Sequence, residues 1–446
     1  MKDTILELLD ASPINIAALK ENLVEMNAVD IAEIFFDLDK DKTISLFRIL
    51  PKNIASEVFA NIESEEQQEI VEALTDSEIG EIMSKLFVDD AVDFIEEMPA
   101  NVVNRVLKNI NSEKRRIINQ ILQYPEESAG SIMTTEYVSL REGLTVEEAF
   151  ETIRSTGLNK ETIYTCYVIS WDRVLKGVVT AKDLFLSEAE NKISDIMVPN
   201  PVSAHTTDDR EAVAVLFQRY DFLAMPVVDK EDRLVGIITV DDIVDVIVEE
   251  TTEDIEKMAA LSPSDESYMK TGVLKQSRNR IFWLMFLMLS ATITGTIITG
   301  FEDSLMVLPV LVSFIPMIMN TAGNAGSQSS VLMVRGLALG EINLSDLFTV
   351  LWRELRVALI CGVTLGAVNF VRIYFMHGRD LFLCLTVSLS LVATVLIAKT
   401  LGCLLPLFAK KIKIDPALMA APLITTIADA ASLLVFFTAA SLILHI

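Results

Sequence analysis

The last third of the chain contains apolar runs of a length that a lipid bilayer selects. "IFWLMFLMLSATITGTIITGF" (residues 281–301) is uncharged over 21 residues, enough to cross the hydrocarbon core at about 1.5 Å per residue. Further candidate spans run over about 306–335, 355–375, 381–405 and 417–444. One such run alone reads equally as the core helix of a soluble protein, but five in succession read as a membrane domain of five helices. Charge divides the chain at the same place: residues 281–446 hold nine Lys/Arg and eight Asp/Glu, against 28 and 55 in residues 1–280. So acidic a first part repels nucleic acid and suits cations or basic partners, although surplus acid also serves solubility. The start, "MKDTILELLDASP", lacks the basic region and longer apolar run of a secretory signal, which keeps the acidic part in the cytoplasm. Lys275, Arg278, Arg280, Arg335, Arg353, Arg356, Lys410, Lys411 and Lys413 then flank the spans on the inner side, and only Arg372 and Arg379 on the outer. That bias fits a cell-membrane protein in contact with lipid, with its N-terminus inside and its C-terminus outside.

Two of the membrane segments are polar where lipid penalises polarity. "PMIMNTAGNAGSQSS" (316–330) concentrates Asn320, Asn324, Ser327, Gln328 and Ser329 around Gly323 and Gly326. Small residues at that spacing let helices pack closely, with polar side chains as glue; the same residues also suit the lining of a water-filled passage. "DPALMAAPLITTIADAASLLVFFTAASLILHI" (415–446) sets Asp429 among largely apolar neighbours, with no Lys or Arg within ten residues. A carboxylate at that depth is neutralised, paired from another helix, or placed beside a permeating cation. Thr425 and Thr426 lie about one turn before it, Pro422 interrupts the helix and frees a carbonyl, and Asp415 before Pro416 suits an N-cap. A site of carboxylate, hydroxyl, amide and carbonyl oxygens favours a hard cation, magnesium or calcium, over zinc or copper. A proton relay through Asp429 is the rival reading.

The acidic part contains a repeat. "IMTTEYVSLREGLTVEEAFETIR" aligns with "IMVPNPVSAHTTDDREAVAVLFQ", and "LKGVVTAKDL" with "LVGIITVDDI". Each copy reads as a helix, a pair of strands and a closing helix. The pair resembles the CBS module, in which the Thr and Asp of the closing motif can hold a ribose. That makes Thr180, Asp183, Thr239 and Asp242 candidates for binding ATP or another adenine nucleotide. Helix capping by the same residues, with Gly177 and Gly236 as turn glycines, is the plainer reading. Residues 1–130 show apolar spacings of three and four with acidic turns, as expected of an α-helical, solenoid-like domain. Runs such as "DDAVDFIEE" and "DDIVDVIVEETTEDIE" put like charges on one helix face, a repulsion of about 0.2–0.5 kcal/mol per pair. A bridging divalent cation relieves it, as does simple exposure to water. Cys361, Cys384 and Cys403 lie in the apolar part and Cys166 in a strand, with no spacing that suggests zinc or a disulfide framework. No P-loop is present and the histidines are scattered, so an enzyme is not expected.

The order of parts is that of a multidomain membrane protein: an acidic α-helical domain (1–130), an α+β CBS pair (131–250, divided into 131–195 and 196–250), a connecting helix (251–280) and an all-α transmembrane pore domain (281–446). Over essentially its full length it resembles the MgtE family of magnesium channels, most specifically in "PMIMNTAGNAGSQSS" and "DPALMAAPLITTIAD". The resemblance implies a homodimer with a pore at the subunit junction, where Asp429 meets hydrated magnesium and Asn320, Asn324 and Thr425 assist. It further implies regulatory magnesium held by Glu57, Asp89, Asp93, Asp209, Glu211, Asp221, Asp242, Asp245, Glu250, Glu253, Asp254 and Asp415. Ala420 and Ala421 stand where some relatives carry a polar residue. Coupled transport of a divalent cation with H+ or Na+ is the alternative.

Overall fold

In the first part of the chain the helices restart on a fixed count. Helices begin at Ala28, Lys40, Ser64, Asp76, Val88, Ala100 and Ser112, positions that fall on a 12-residue grid. At the same 12-residue spacing Leu50, Ile62, Leu74, Leu86, Met98 and Ile110 are all buried, each at the end of its helix or just after it. Twelve residues are about three helical turns plus a tight connection. The chain therefore reverses each time and returns every second helix to the same layer. Polar caps mark the restarts: Asn27, Asp39 and Asn111 accept backbone N–H groups of the following helix, and Thr75 forms a capping box with Glu78. Phe35, Phe47, Phe59 and Phe94 run through the layer edge to face, with ring centroids 6.4, 6.0 and 5.2 Å apart.

The computed structural model describes all residues except 1, 11–14, 53, 265–267, 269–270, 377–379, 420 and 446. The chain divides into two compact units, Met1–Ile247 and Val248–Ile446.

Within the first unit the repeat forms two sheets. One has strands in the order Ser139–Arg141, Thr165–Ile169, Leu175–Thr180 and Val198–Pro199; the other has Ala204–His205, Ala224–Val228 and Leu234–Thr239. The two repeats exchange their leading segments. The backbone at Thr134 bridges Ile237 in the second repeat, and Val198 of the second repeat's leading segment pairs with Val178 in the first. This corrects the reading of Gly177 and Gly236 as turn glycines. Both lie in mid-strand, where a Cβ would come within 2.9 Å of the Val198 oxygen and 2.8 Å of the Thr134 oxygen respectively. Glycine is required there by a crossing backbone.

The second unit contains the long helices Val273–Gly300, Ile315–Ala338, Leu347–Met376, Leu381–Lys411 and Ala421–Leu444. Among the described residues, four segments are long and apolar enough to cross a membrane: Val273–Gly300, Leu344–Met376, Leu381–Lys411 and Pro416–Leu444. The expected second span is not one of them. Its long helix starts at Ile315 rather than near 306, and its polar half lowers its hydropathy. That helix packs against both Leu381–Lys411 and Ala421–Leu444. At the crossing with Leu381–Lys411, a Cβ on Gly402 would overlap the Gly326 carbonyl, so only glycine permits that approach.

Residues 251–280 are not one connecting helix. The closing helix of the second repeat runs on to Met258, and residues 273–280 already belong to Val273–Gly300. Pro422 does not break the last helix. It lies in the first turn of Ala421–Leu444, where proline is tolerated, and the Thr426 hydroxyl donates to the Pro422 carbonyl at 3.0 Å. Ala420 and the outer-flank Arg379 lie outside the described residues.

Candidate functional site

Asp429 owes its position to the antiparallel packing of Ile315–Ala338 on Ala421–Leu444. The Ser330 hydroxyl donates to the Met419 carbonyl at 3.2 Å, Gly326 meets Ile424, and Gly323 meets Thr425. Ala428 then packs with Ala322 and Ala325, so the next residue, Asp429, sits level with the start of the polar motif. Its Oδ1 is buried and has no hydrogen-bond partner. Among the described residues no Lys, Arg or His pairs with it. An unpaired carboxylate oxygen costs free energy unless water or a cation meets it.

On Ile315–Ala338, Asn320, Asn324 and Gln328 are exposed, whereas Ala322, Gly323, Ala325, Gly326, Ser329 and Ser330 are buried. Spaced by four, the three amides form one stripe. Asn324 donates to the Asn320 carbonyl oxygen at 3.3 Å. The structure thus separates two roles that the sequence left open on one helix: small residues pack inward, and amides face outward.

Charges of a kind the sequence reading passed over are also buried in this unit. Lys399 is 6% exposed and Glu354 9%, and Ser329 lies between them. Ahead of the last long helix Asp415 accepts the Ala417 N–H at 2.8 Å, as the N-cap reading expects, and also takes the Lys257 ammonium at 2.7 Å. Lys257 pairs with Glu253 at 2.6 Å too. Burial opposes the Lys257 charge, but bonding to Asp415 and Glu253 outweighs it and raises its pKa. Burial, then the charge of Asp415, raises the pKa of Asp254 nearby. Two carboxylates expected to hold metal here are therefore engaged by a lysine.

In the first unit the acids divide. Asp209 accepts the Glu211 and Ala212 N–H groups at the start of Arg210–Tyr220, and Asp221 closes that helix in the left-handed conformation with φ 53°. Twelve residues along the helix separate Asp209 from Asp221 by roughly 18 Å, so within one chain Asp209 and Glu211 cannot share an ion with Asp221. Glu57 is exposed on Ala55–Ala60. Asp89, by contrast, is 6% exposed; burial, then the charges of Asp242 and Asp90, pushes its carboxyl far above the ordinary range. Asp93 keeps part of its side chain open to water, yet surrounding protein and the charge of Asp242 raise it as well. Burial takes Asp242 to about 6, and Asp245 is raised by burial and by Asp241. Glu161 joins this group from a loop, pushed by burial and Asp242 to about 8, with a buried Oε2 that has no partner. The sequence offers no sign of it, because a lone loop glutamate has no periodicity. Among the described residues no three acidic, His or Cys side chains stand close enough to hold a metal ion, so any dication here keeps part of its hydration shell or draws ligands from elsewhere.

A stability consequence follows. Carboxylates raised above their unfolded values near 4 favour the fold while protonated, and that contribution is lost as pH rises through their folded values. For Asp242 and Glu161 the window runs from about 4 up to about 6 and about 8. With a chelator present, the first unit of the intact protein should become more protease-sensitive as pH rises from 5.5 to 8.5 (about this range). Magnesium should protect it more at the upper end, and equal protection at both ends would contradict the cluster.

The nucleotide candidates are occupied locally. Thr180 and Asp183 form a capping box in which the Thr180 hydroxyl donates to Asp183 at 2.6 Å, and Thr239 donates to Asp242 at 2.7 Å.

A helical bundle with a carboxylate oxygen buried without a partner and a stripe of exposed amides, attached to a carboxylate-rich CBS pair, has the build of a membrane protein that handles divalent cations. Residues 315–439 match the MgtE divalent cation transporter family, 26–127 the MgtE intracellular N domain, and 129–189 and 193–249 CBS domains. The magnesium transporter MgtE of Thermus thermophilus is 36% identical over 96% of this chain and 95% of its own length. That of Bacillus subtilis is 37% identical over 74% and 72% respectively. A crystal structure of the cytosolic domain of the Mg2+ channel MgtE in complex with ATP superposes with a TM-score of 0.53 at 36% identity, covering 55% of this chain and all of that one. The chain belongs to the MgtE family and is a multi-pass membrane protein.

Proposed function

We propose that this protein carries magnesium into the cell as a channel, gated by magnesium at its acidic cytoplasmic unit. The buried, unpartnered Oδ1 of Asp429 carries the reading. An ion that retains most of its water needs a charge to attract it and polar groups to receive its shell; Asp429 supplies the first, and the Asn320 and Asn324 amides and the Thr425 hydroxyl the second. Ile315–Ala338 serves as a fifth membrane helix, packed on Leu381–Lys411 and Ala421–Leu444, with an amide stripe too costly to leave facing lipid. A second copy covering that stripe places the passage between two chains. The positive flanks put the N-terminus and the acidic unit inside and the C-terminus outside. Inside-negative potential supplies about 2.3 kcal/mol per charge per 100 mV, doubled for a dication, so no second ion is required.

Gating follows from the carboxylates. At high internal magnesium, ions screen and bridge Asp89, Asp93, Asp242 and Asp245, with Glu161 added to that set, and the connector (251–275) is held beneath the pore. Glu57, Asp209, Glu211, Asp221, Glu250, Glu253, Asp254 and Asp415 remain candidates whose ligands come partly from a second chain or from water. When magnesium falls, repulsion separates the acidic elements and the pore opens. ATP at the CBS pair would have to share Asp183 or Asp242 with the helix starts that they cap. Magnesium flux into liposomes should be indifferent to an imposed proton or sodium gradient; a flux that follows either gradient selects coupled transport instead.

A further inference from the structure

The Ser329, Glu354 and Lys399 side chains come from three helices, Ile315–Ala338, Leu347–Met376 and Leu381–Lys411, and meet inside the bundle. The Ser329 hydroxyl donates to Glu354 Oε2 at 2.8 Å and accepts from Lys399 Nζ at 3.1 Å; the two charges stand 4.0 Å apart. All three residues are at least nine-tenths buried. A hydroxyl can hold this place because it donates and accepts at once. The charges neutralise one another, so the triad adds no net charge to the bundle. Ser329 is nine residues from Asn320 and five from Asn324, about 180° and about 140° around the helix. The triad therefore grips the back of the helix whose front carries the amide stripe. The Gly326–Gly402 contact lies one turn away, three residues before Ser329 and three after Lys399.

We infer that the Ser329–Glu354–Lys399 triad is a positioning device: it fixes the rotation of Ile315–Ala338 about its own axis and so aims Asn320 and Asn324 at the permeating cation. Translation is limited by the glycine contact, but glycines carry no side chain to resist rotation. A hydrogen-bonded ion pair in a low-dielectric interior is directional, and rotating its serine away would leave both charges unpaired. The inference rests on the transport reading for its purpose, though not for its geometry.

The test uses full-length protein in liposomes, with Cys166, Cys361, Cys384 and Cys403 replaced and a cysteine introduced by Asn324→Cys. A charged, water-soluble thiol reagent reports the aim of position 324 without requiring transport. Ser329→Ala and Lys399→Met should each change the labelling rate at least about fivefold. Glu354→Gln combined with Lys399→Met removes both charges together and should restore the rate to within about twofold. In proteins that retain Asn324, magnesium flux should fall and recover in the same order. Labelling that stays within about twofold in both single variants overturns the inference, as does a double variant no better than Lys399→Met alone. Absence of magnesium flux in the unsubstituted protein, with labelling behaving as described, would defeat the transport reading and leave the positioning geometry standing.

Discussion

Asp429→Asn cuts magnesium entry by roughly 30- to 150-fold and leaves the protein at least as stable as before. The first figure comes from removing one charge-assisted interaction of about 2–3 kcal/mol with the hydrated ion. Asparagine keeps the shape and one acceptor oxygen of the side chain, so the loss reports chiefly the charge. The second expectation follows from the unpartnered Oδ1: a buried carboxylate oxygen without a partner is a cost to the fold, and neutralising it relieves that cost. Flux into liposomes and thermal unfolding in detergent measure the two together. Flux near the unsubstituted level would remove Asp429 from the path, and a large drop in stability would show a structural role instead.

Deleting residues 1–250 gives a pore that no longer closes. Intact protein should lose at least about tenfold of its flux between low and high internal magnesium, the usual scale of an allosteric coupling. The truncated chain should keep flux within about twofold across the same range. The reason is electrostatic. Asp89, Asp242 and Glu161 are packed where burial and mutual repulsion oppose ionisation, and under the proposed gating internal magnesium is what relieves that repulsion. Full shut-off in the truncated chain would put the sensor in the membrane unit.

Much of this was legible from periodicity and cost. Paired repeats, strand pairs and the capping Thr/Asp could be read because each is local: a strand alternates, a cap sits at a fixed offset, and an apolar run declares its length. The 12-residue grid of Leu50, Ile62, Leu74, Leu86, Met98 and Ile110 was equally present in the sequence, but a search for spacings of three and four overlooks a longer period. Glu161 and the triad were not legible. Nothing in the chain near Lys399 announces that a glutamate 45 residues earlier and a serine 70 earlier will close on it, since side chains that meet across helices leave no common interval in the sequence. Asp415 illustrates the intermediate case: its cap was readable from the proline beside it, while its pairing with Lys257, 158 residues away, was not.

By itself the sequence determined the membrane unit, the acidic unit and an all-oxygen chemistry, since length, charge and ligand hardness belong to residues one at a time. Only the tertiary structure decided which face of Ile315–Ala338 is packed and which is open, that Asp429 goes unpaired while Lys399 does not, and which acids stand close enough to repel. Those outcomes depend on distances between elements remote in sequence, and in a low-dielectric interior a few ångströms decide whether a charge is satisfied or left for a cation to meet.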